Sequence, residues 1–524
     1  MVRKWVCAAL LAATSSAAGA TWRTATSTNF IVYTEGSETS ARALAERLEK
    51  YENVLRVISG AKTTPNTTPI RVFMVPSQTA VQDTMPFPSS GVAGYYDDDI
   101  RGSYTVMPRA GIEGDDGSFA QVVLFHELAH QFMFHNFSGA YPTWYIEGFA
   151  DYYGTTKIGA KDVTTVGIPL ENRYKSLNDN AWIPISQVLS ARRYSDVTNV
   201  YLLYAEGWLL VHYLSTTQKR PGQLTAYLKA INDGSSFEAA ATKAFGNVSA
   251  LDAELRDYAA VRNHQVLDLP FKKLDPGPIT VQTLSPAQSA LVPFQIRLSA
   301  GVPAANFADF EQRLGSVVAS YPDDPSALAV LSDAQMLVQH HDAARATVAH
   351  WLKVAPQDPR ALMFQGMLDV EGLRVAKVTD PARWTAARQS ILAANRLAPH
   401  TPRILKAYYE SFTAQGVLPP AGAQNGLLAA FDTMPENAEL RRMVASDFEA
   451  RDMLDDAIDT IRPLAFRTRA SGEQSAKDKA RDDKLSVKYR LAGAGAKEET
   501  AREMLERLEK RRAGGAKAAK PAGS

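Results

Sequence analysis

Cysteine is nearly absent: the 524-residue chain holds one, Cys7. A disulfide scaffold is therefore excluded. Charge of one sign is lacking too, with Lys plus Arg at 57 against Asp plus Glu at 56, a net +1. Such a balance provides no basic field to attract nucleic acid. Beyond the N-terminus no run reaches the roughly 18 apolar residues that a membrane span needs. With 22% charged and 45% hydrophobic residues, intrinsic disorder and collagen-like repetition are excluded as descriptions of the whole chain. What remains is a soluble globular composition, and at roughly 150 residues per domain the length predicts three or four domains.

The first twenty residues have the pattern of an export signal. Arg3 and Lys4 are basic, Trp5 to Ala13 is apolar but too short to span a bilayer, and Ala18-Gly19-Ala20 offers a small-x-small cleavage site. The mature chain is expected to start at Thr21 and to lack any thiol, because Cys7 lies inside the signal without the small residues that precede a lipidated cysteine. An exported, periplasmic or secreted location is expected, with no membrane span.

Residues 21 to about 115 predict a mixed α/β region, the first part of a domain expected to run to about 265. Phe30-Ile31-Val32-Tyr33 and Ile70 to Val75 are strand-like, and Tyr104 to Met107 predicts an edge strand beyond a Gly-, Tyr- and Asp-rich segment. Ser40 to Ser59 has helical periodicity through Leu44, Leu48, Tyr51, Val54 and Leu55. Helical patterns follow at Ser118 to His135, Thr143 to Tyr153 and Asn199 to Ser215. Between 266 and 305, six prolines and two glycines interrupt short apolar runs, which predicts a partly packed linker.

From 306 to 470 the chain repeats. Pro322, Pro356, Pro399 and Pro435 follow one another at 34, 43 and 36 residues, the 43 being 34 plus a nine-residue insertion near Val375 to Arg383. Ala344 and Ala387 stand twelve residues before a proline; Ala457 does so before Arg469, and Gly366 and Ala394 fill small-residue positions. This spacing resembles the tetratricopeptide repeat, whose helix pairs stack into a surface that binds protein partners. The tail, 471–524, carries 14 basic and 9 acidic residues. One helix is expected near Lys497 to Arg512, the tail otherwise being solvated, and disorder is expected from Gly514 onward.

The chemistry concentrates in one place. His126-Glu127-Leu128-Ala129-His130 lies within an apolar helix, so residues i and i+4 project two ring nitrogens from one face and can share a zinc ion. Glu127, one step round, can reach a water instead of the metal. By chance this pattern arises in on the order of one chain in a hundred of this length. Its surroundings strengthen it. Pro142 marks a break, Thr143 is the expected N-cap of a returning helix, and Glu147 lies 17 residues after His130, placed to supply a third ligand. Asp151, one turn further, can accept the free imidazole proton of a ligand histidine. Gly148 is expected to let the two helices approach.

These residues resemble the gluzincin metallopeptidases, and more narrowly the bacterial peptidase-MA-like group. The group's His-Glu-x-x-His followed by Pro-x-Trp-x-x-Glu-Gly-x-Ala is matched by His126, Glu127, His130, Pro142, Trp144, Glu147, Gly148 and Ala150. The metzincin pattern is absent, since Met133 and Asn136 hold the places of its glycine and third histidine. The resemblance implies an α+β zincin-like peptidase domain, here followed by the all-α tetratricopeptide-like domain. It also implies an active-site helix beneath a sheet whose edge strand binds substrate, and a Tyr or His that steadies the oxyanion. Tyr201, Tyr204, Trp208 and His212 share one helix face; Tyr204, in Tyr204-Ala205-Glu206-Gly207-Trp208, is the first choice for that donor, while the same stripe would equally serve as core packing. His135, His340 and His341 are expected to be plain surface histidines.

The expected function is thus peptide-bond hydrolysis by an exported enzyme with one Zn²⁺ per chain, a zinc-activated water and Glu127 as general base. Its partners would be a peptide or protein substrate and a protein bound on the repeats. The alternatives are an inactive zincin-and-repeat scaffold that docks proteins, which an intact Glu127 disfavours, and a metal-dependent hydrolase of something other than peptides. With a separable recruiting array, a chain ending near residue 265 would keep its zinc and its cleavage of short peptides.

Overall fold

The computed structural model describes residues 21–61, 68–86, 92–112, 118–159, 163–261, 263–270, 274–467 and 499–518. Residues 1–20 with Cys7, most of the charged tail and the last six residues lie outside them.

The N-terminal part is built on a six-stranded mixed sheet in the order β4-β5-β3-β2-β1-β9. Its strands are β1 (Arg23–Thr26), β2 (Phe30–Thr34), β3 (Ile70–Val75), β4 (Tyr95–Asp99), β5 (Gly102–Pro108) and β9 (Thr280–Thr283). β2, β3 and β5 run parallel, while β1, β4 and β9 are antiparallel to their neighbours. Alternation assigns the two faces. Val72 and Met74 face α1 (Glu38–Ser59) and α3 (Phe119–Asn136), whereas Phe73 and Val75 face α2 (Gln78–Thr84) and α11 (Pro286–Ala300). Tyr51 of α1 pins α3 by stacking on Phe125 at 3.9 Å and donating its hydroxyl to the Phe125 carbonyl at 2.9 Å.

Two expectations change here. The strand at Tyr104 to Met107 is internal, because Tyr95 to Asp99 pairs beyond it and forms the edge. The acidic Tyr-Tyr-Asp-Asp-Asp run has no apolar alternation, and Arg71, Arg101 and Arg467 balance its charge. The stretch 266–305 does more than connect. β9 extends the sheet beside β1, and Val292 and Ile296 of α11 bury Trp22, Phe73 and Tyr104 on the sheet's second face.

A helical layer completes this half: α4 (Thr143–Gly154), α5 (Glu171–Asp179), α6 (Ile185–Ser190), α7 (Val200–Thr216), α8 (Gln223–Asn232), α9 (Phe237–Phe245) and α10 (Val248–Ala259). A small sheet, β6 (Lys157–Ile158), β7 (Val163–Val166) and β8 (Leu267–Pro270), lies beside it. Pro142, not Thr143, occupies the N-cap of α4, and it has no side-chain acceptor to offer. Gly148 does not face α3. A Cβ there would lie 2.6 Å from the Gly207 carbonyl carbon, so it sets the crossing of α4 with α7. Gly154 is the α4 glycine that faces α3, where a Cβ would come within 3.2 Å of His126 Cβ.

The rest is a run of helix pairs. After α11 come α12 (Phe307–Ser320), then α13 (Pro325–Leu337) with α14 (His341–Val354), and α15 (Pro359–Val375) with α16 (Pro381–Leu397). Next are α17 (Pro402–Gln415) with α18 (Ala421–Thr433), and α19 (Ala438–Ala450) with α20 (Leu454–Phe466). Proline sits in the first turn of α13, α15, α16 and α17, where it forfeits no intrahelical hydrogen bond, and Asp324, Asp358 and Asp380 cap three of these helices. The nine-residue insertion is absorbed mostly as helix: α15 and α16 have 17 residues each, against 13 and 14 for α13 and α14, and the turn between them is two residues longer. The repeat-position alanines Ala344, Ala394 and Ala457 are fully buried, as close helix packing requires. The tail helix α21 (Ala501–Ala518) is not solvated all round, since Met504, Leu505 and Leu508 cover Ala457, Ile458 and Ile461. No helix of the described residues is long and apolar enough to cross a membrane.

Candidate metal centre

α3 and α4 run antiparallel and meet at three side chains. His126 Nε2 lies 3.1 Å from His130 Nε2, with the rings at 88°. Glu147 Oε2 is 3.5 Å from each of these nitrogens. One ligand atom from each residue falls within a 4.8 Å cluster.

These donors suit a divalent cation. Two imidazole nitrogens and a carboxylate oxygen are a zinc-type set that leaves a fourth position open. The two ring nitrogens face each other at hydrogen-bond distance, and Glu147 Oε2 is buried without a hydrogen-bond partner. Burial opposes a charge on His126, yet its hydrogen bond to Asp151 and the adjacent Glu147 carboxylate prevail and push its pKa up to about 10. Burial likewise acts against ionised Glu147, but the two histidines hold its carboxyl well below the usual range. The pocket therefore favours positive charge between these groups.

Around them lies a ring of supporting contacts. Asp151 Oδ1 meets His126 Nδ1 at 2.9 Å, leaving the Nε2 lone pair directed at the cluster when Nδ1 carries the proton. Arg173 of α5 donates to both oxygens of Asp151, at 2.7 and 3.1 Å. Its guanidinium lies 4.8 Å from the ring centre of Tyr204, which stacks on Tyr194 at 6.1 Å. The Tyr194 hydroxyl donates to Glu147 Oε1. Burial, with the nearby Glu147 charge second, keeps both phenols protonated.

Glu127 sits between α3 and the edge strand and accepts a hydrogen bond from the Tyr96 backbone N–H. Burial raises its carboxyl pKa against the pull of His126 and His130. A base with a raised pKa holds a proton more readily near neutral pH.

Of the residues singled out from sequence, His126, Glu127, His130, Glu147 and Asp151 converge on one point. Tyr204 lies in the same wall, but the tyrosine that reaches Glu147 is Tyr194, in a short 3-10 turn outside the α-helices. Trp208 and His212 are core residues, the latter bonded to Gly167 and Tyr258. Sequence reasoning missed Tyr194 and Arg173. Neither has a local signal, since the partners lie 47 and 22 residues away. His135 is no surface residue, because its Nδ1 meets buried Glu436 at 2.8 Å.

Residues 53–260 match the family model described as Peptidase MA superfamily. The chain carries a peptidase-MA-like region. No curated protein matches the chain. Among solved structures, it is similar to a thermophilic TPR protein of Thermus thermophilus, at 18% identity over 38% of this chain and 98% of that one, TM-score 0.30. It is also similar to MamA of Desulfovibrio magneticus RS-1, at 16% identity over 33% and 90%, TM-score 0.24. The peptidase-MA-like region thus contains the His-His-Glu cluster, and the run of helix pairs follows it.

Asp151 supplies a first prediction. Asp151→Asn keeps the size but removes the charge that supports His126, so zinc affinity should fall about 10- to 100-fold, with activity restored by added zinc. Competition with a chromogenic chelator measures this; unchanged affinity would reduce Asp151 to a partner of Arg173.

Proposed function

We propose that this chain is an exported zinc-dependent peptidase of gluzincin type. The observation that carries the reading is the meeting of His126 Nε2, His130 Nε2 and Glu147 Oε2 within 4.8 Å. Glu127 stands beside them without being needed to hold a metal. A zinc ion held by the three ligands would act as a Lewis acid toward a scissile carbonyl. Glu127 takes the proton of the attacking water and returns it to the leaving amine. Tyr204 donates to the developing oxyanion, while Tyr194 orients Glu147 and Arg173 orients Asp151. The N-terminal basic-apolar-small pattern supports export to a periplasmic or extracellular compartment.

Metal analysis of the full chain, beside mass-spectrometric cleavage profiling of a peptide library, tests the reading. About one zinc per chain is expected, with cleavage abolished by a strong chelator and restored by zinc. Zinc-loaded chain that cleaves nothing in the library would favour the docking-scaffold alternative. The two tyrosines should separate in the same assay. Tyr204→Phe should keep zinc and lose about 100- to 1,000-fold in kcat, as for a lost oxyanion donor. Tyr194→Phe should act chiefly on zinc affinity. The reverse pattern would exchange the two roles.

A further inference from the structure

A second buried polar cluster joins the repeat array to the two elements that flank Glu127. Glu436, at the corner between α18 and α19, uses both carboxylate oxygens. One meets His135 Nδ1, in the last turn of α3, at 2.8 Å; the other accepts from Ser103 Oγ, on β5, at 2.7 Å. The next residue, Asn437, donates to Asp98 Oδ1 of β4 at 3.0 Å, and Arg467 donates to Asp98 Oδ2 at 3.2 Å. Arg467 also lies 4.3 Å from the Phe134 ring centre on α3. One corner of the array thus holds both the helix that carries the motif and the edge strand above it.

The tip of the β4–β5 hairpin extends this contact. Ile100 is 5% exposed and packs in a cluster with Tyr409, Leu427, Leu440 and Val444 of the array. Arg101 lies 3.6 Å from Asp333 of α13, which also pairs with Arg403 of α17 at 2.6 Å. The hairpin therefore meets four helices of the array, α13, α17, α18 and α19. Asp98 and Glu436 are among the most buried charges here, with side chains 3% and 4% exposed. Buried, mutually satisfied polar groups of this kind favour one geometry over nearby ones.

We infer that the array takes the chain's own β4–β5 hairpin as its ligand, and that Glu436, Asp98 and Arg467 are positioning residues for Glu127. The route is short. Asp98 is two residues from Tyr96, whose backbone N–H holds the Glu127 carboxylate, and His135 is two turns along α3 from Glu127. Strain or release at this corner moves the base relative to the ligands without touching them. The inference rests on the peptidase reading only where turnover is concerned.

The test uses the full chain with Glu436→Gln, Asp98→Asn, Arg467→Ala and the double Asp98→Asn/Arg467→Ala. Arg345→Ala serves as a control that breaks the Arg345–Asp369 pair inside the array, away from the hairpin. Amide hydrogen exchange across residues 95–108, zinc content, kcat and KM are measured for each. Each corner variant should exchange the hairpin about 5- to 150-fold faster, the usual range for coupled sites. The double should be little worse than its singles, because the two residues form one contact. Zinc should remain at about one per chain, kcat should fall more than KM changes, and Arg345→Ala should leave hairpin exchange at the wild-type rate. Wild-type exchange and kcat in folded Glu436→Gln and Asp98→Asn would overturn the inference. So would equal acceleration by Arg345→Ala, which would mark general loosening of the array. If the wild-type chain cleaves no peptide, the peptidase reading fails, and hairpin exchange decides the coupling by itself.

Discussion

Glu127→Gln should leave the zinc in place and cost hydrolysis about 100- to 10,000-fold, the span of a lost general base. Gln keeps the size of the side chain, and its carbonyl oxygen can still accept the Tyr96 backbone N–H, so the fold and the edge strand should stay as they are. What disappears is a group able to take a proton and give it back. Glu127 contributes no atom to the His126, His130 and Glu147 cluster, so metal content should match the wild type. Added zinc should not rescue the variant, in contrast to Asp151→Asn. Full metal with near-normal turnover would remove Glu127 from the mechanism. Parallel loss of metal would instead make it part of the binding set.

The motif was legible because its logic is local. Helical spacing alone puts His126 and His130 on one face, and a turn with a returning helix carries Glu147 to them. The repeat region was legible for the same reason, since proline and alanine positions recur within each pair. What stayed hidden depends on partners far along the chain. The acidic run Tyr95 to Asp99 carries no strand signal of its own; Asp99 is balanced by Arg71 and Arg101, and Asp98 by Arg467, 369 residues on. His135 looked like a solvent-facing helix residue because its partner Glu436 lies 301 positions later. Gly148 serves the α4–α7 crossing and not the α3–α4 one, since a glycine in sequence does not say which neighbouring helix it faces. Tyr194 follows no period, being held by a short turn. Where several tyrosines were available, a helical stripe pointed to Tyr204, and only the three-dimensional arrangement brings Tyr194 to Glu147.

The linker stretch has the largest consequence. A chain ending at residue 265 should fail to fold, instead of keeping its zinc as a separable array would allow. Such a chain loses β9, which pairs with β1 over four residues, and loses α11, which supplies Val292 and Ile296 to the sheet's second face. Burying a side chain of that kind stabilises by about 1.5–3 kcal/mol. Losing two therefore removes about 3–6 kcal/mol, from a net stability that is typically about 5–15 kcal/mol. Trp22, Phe73, Tyr104 and Val106 would also be opened to water as a continuous apolar patch, which favours aggregation. The expected outcome is a chain without cooperative thermal unfolding, without stoichiometric zinc, and with exposed apolar surface by dye binding. A chain ending after α11, near residue 301, should recover part of the secondary structure because the second face is covered again. Both can be compared by circular dichroism and light scattering. A monodisperse, cooperatively melting chain ending at 265 would show that the sheet does not need α11, and that the first 265 residues are a domain in their own right.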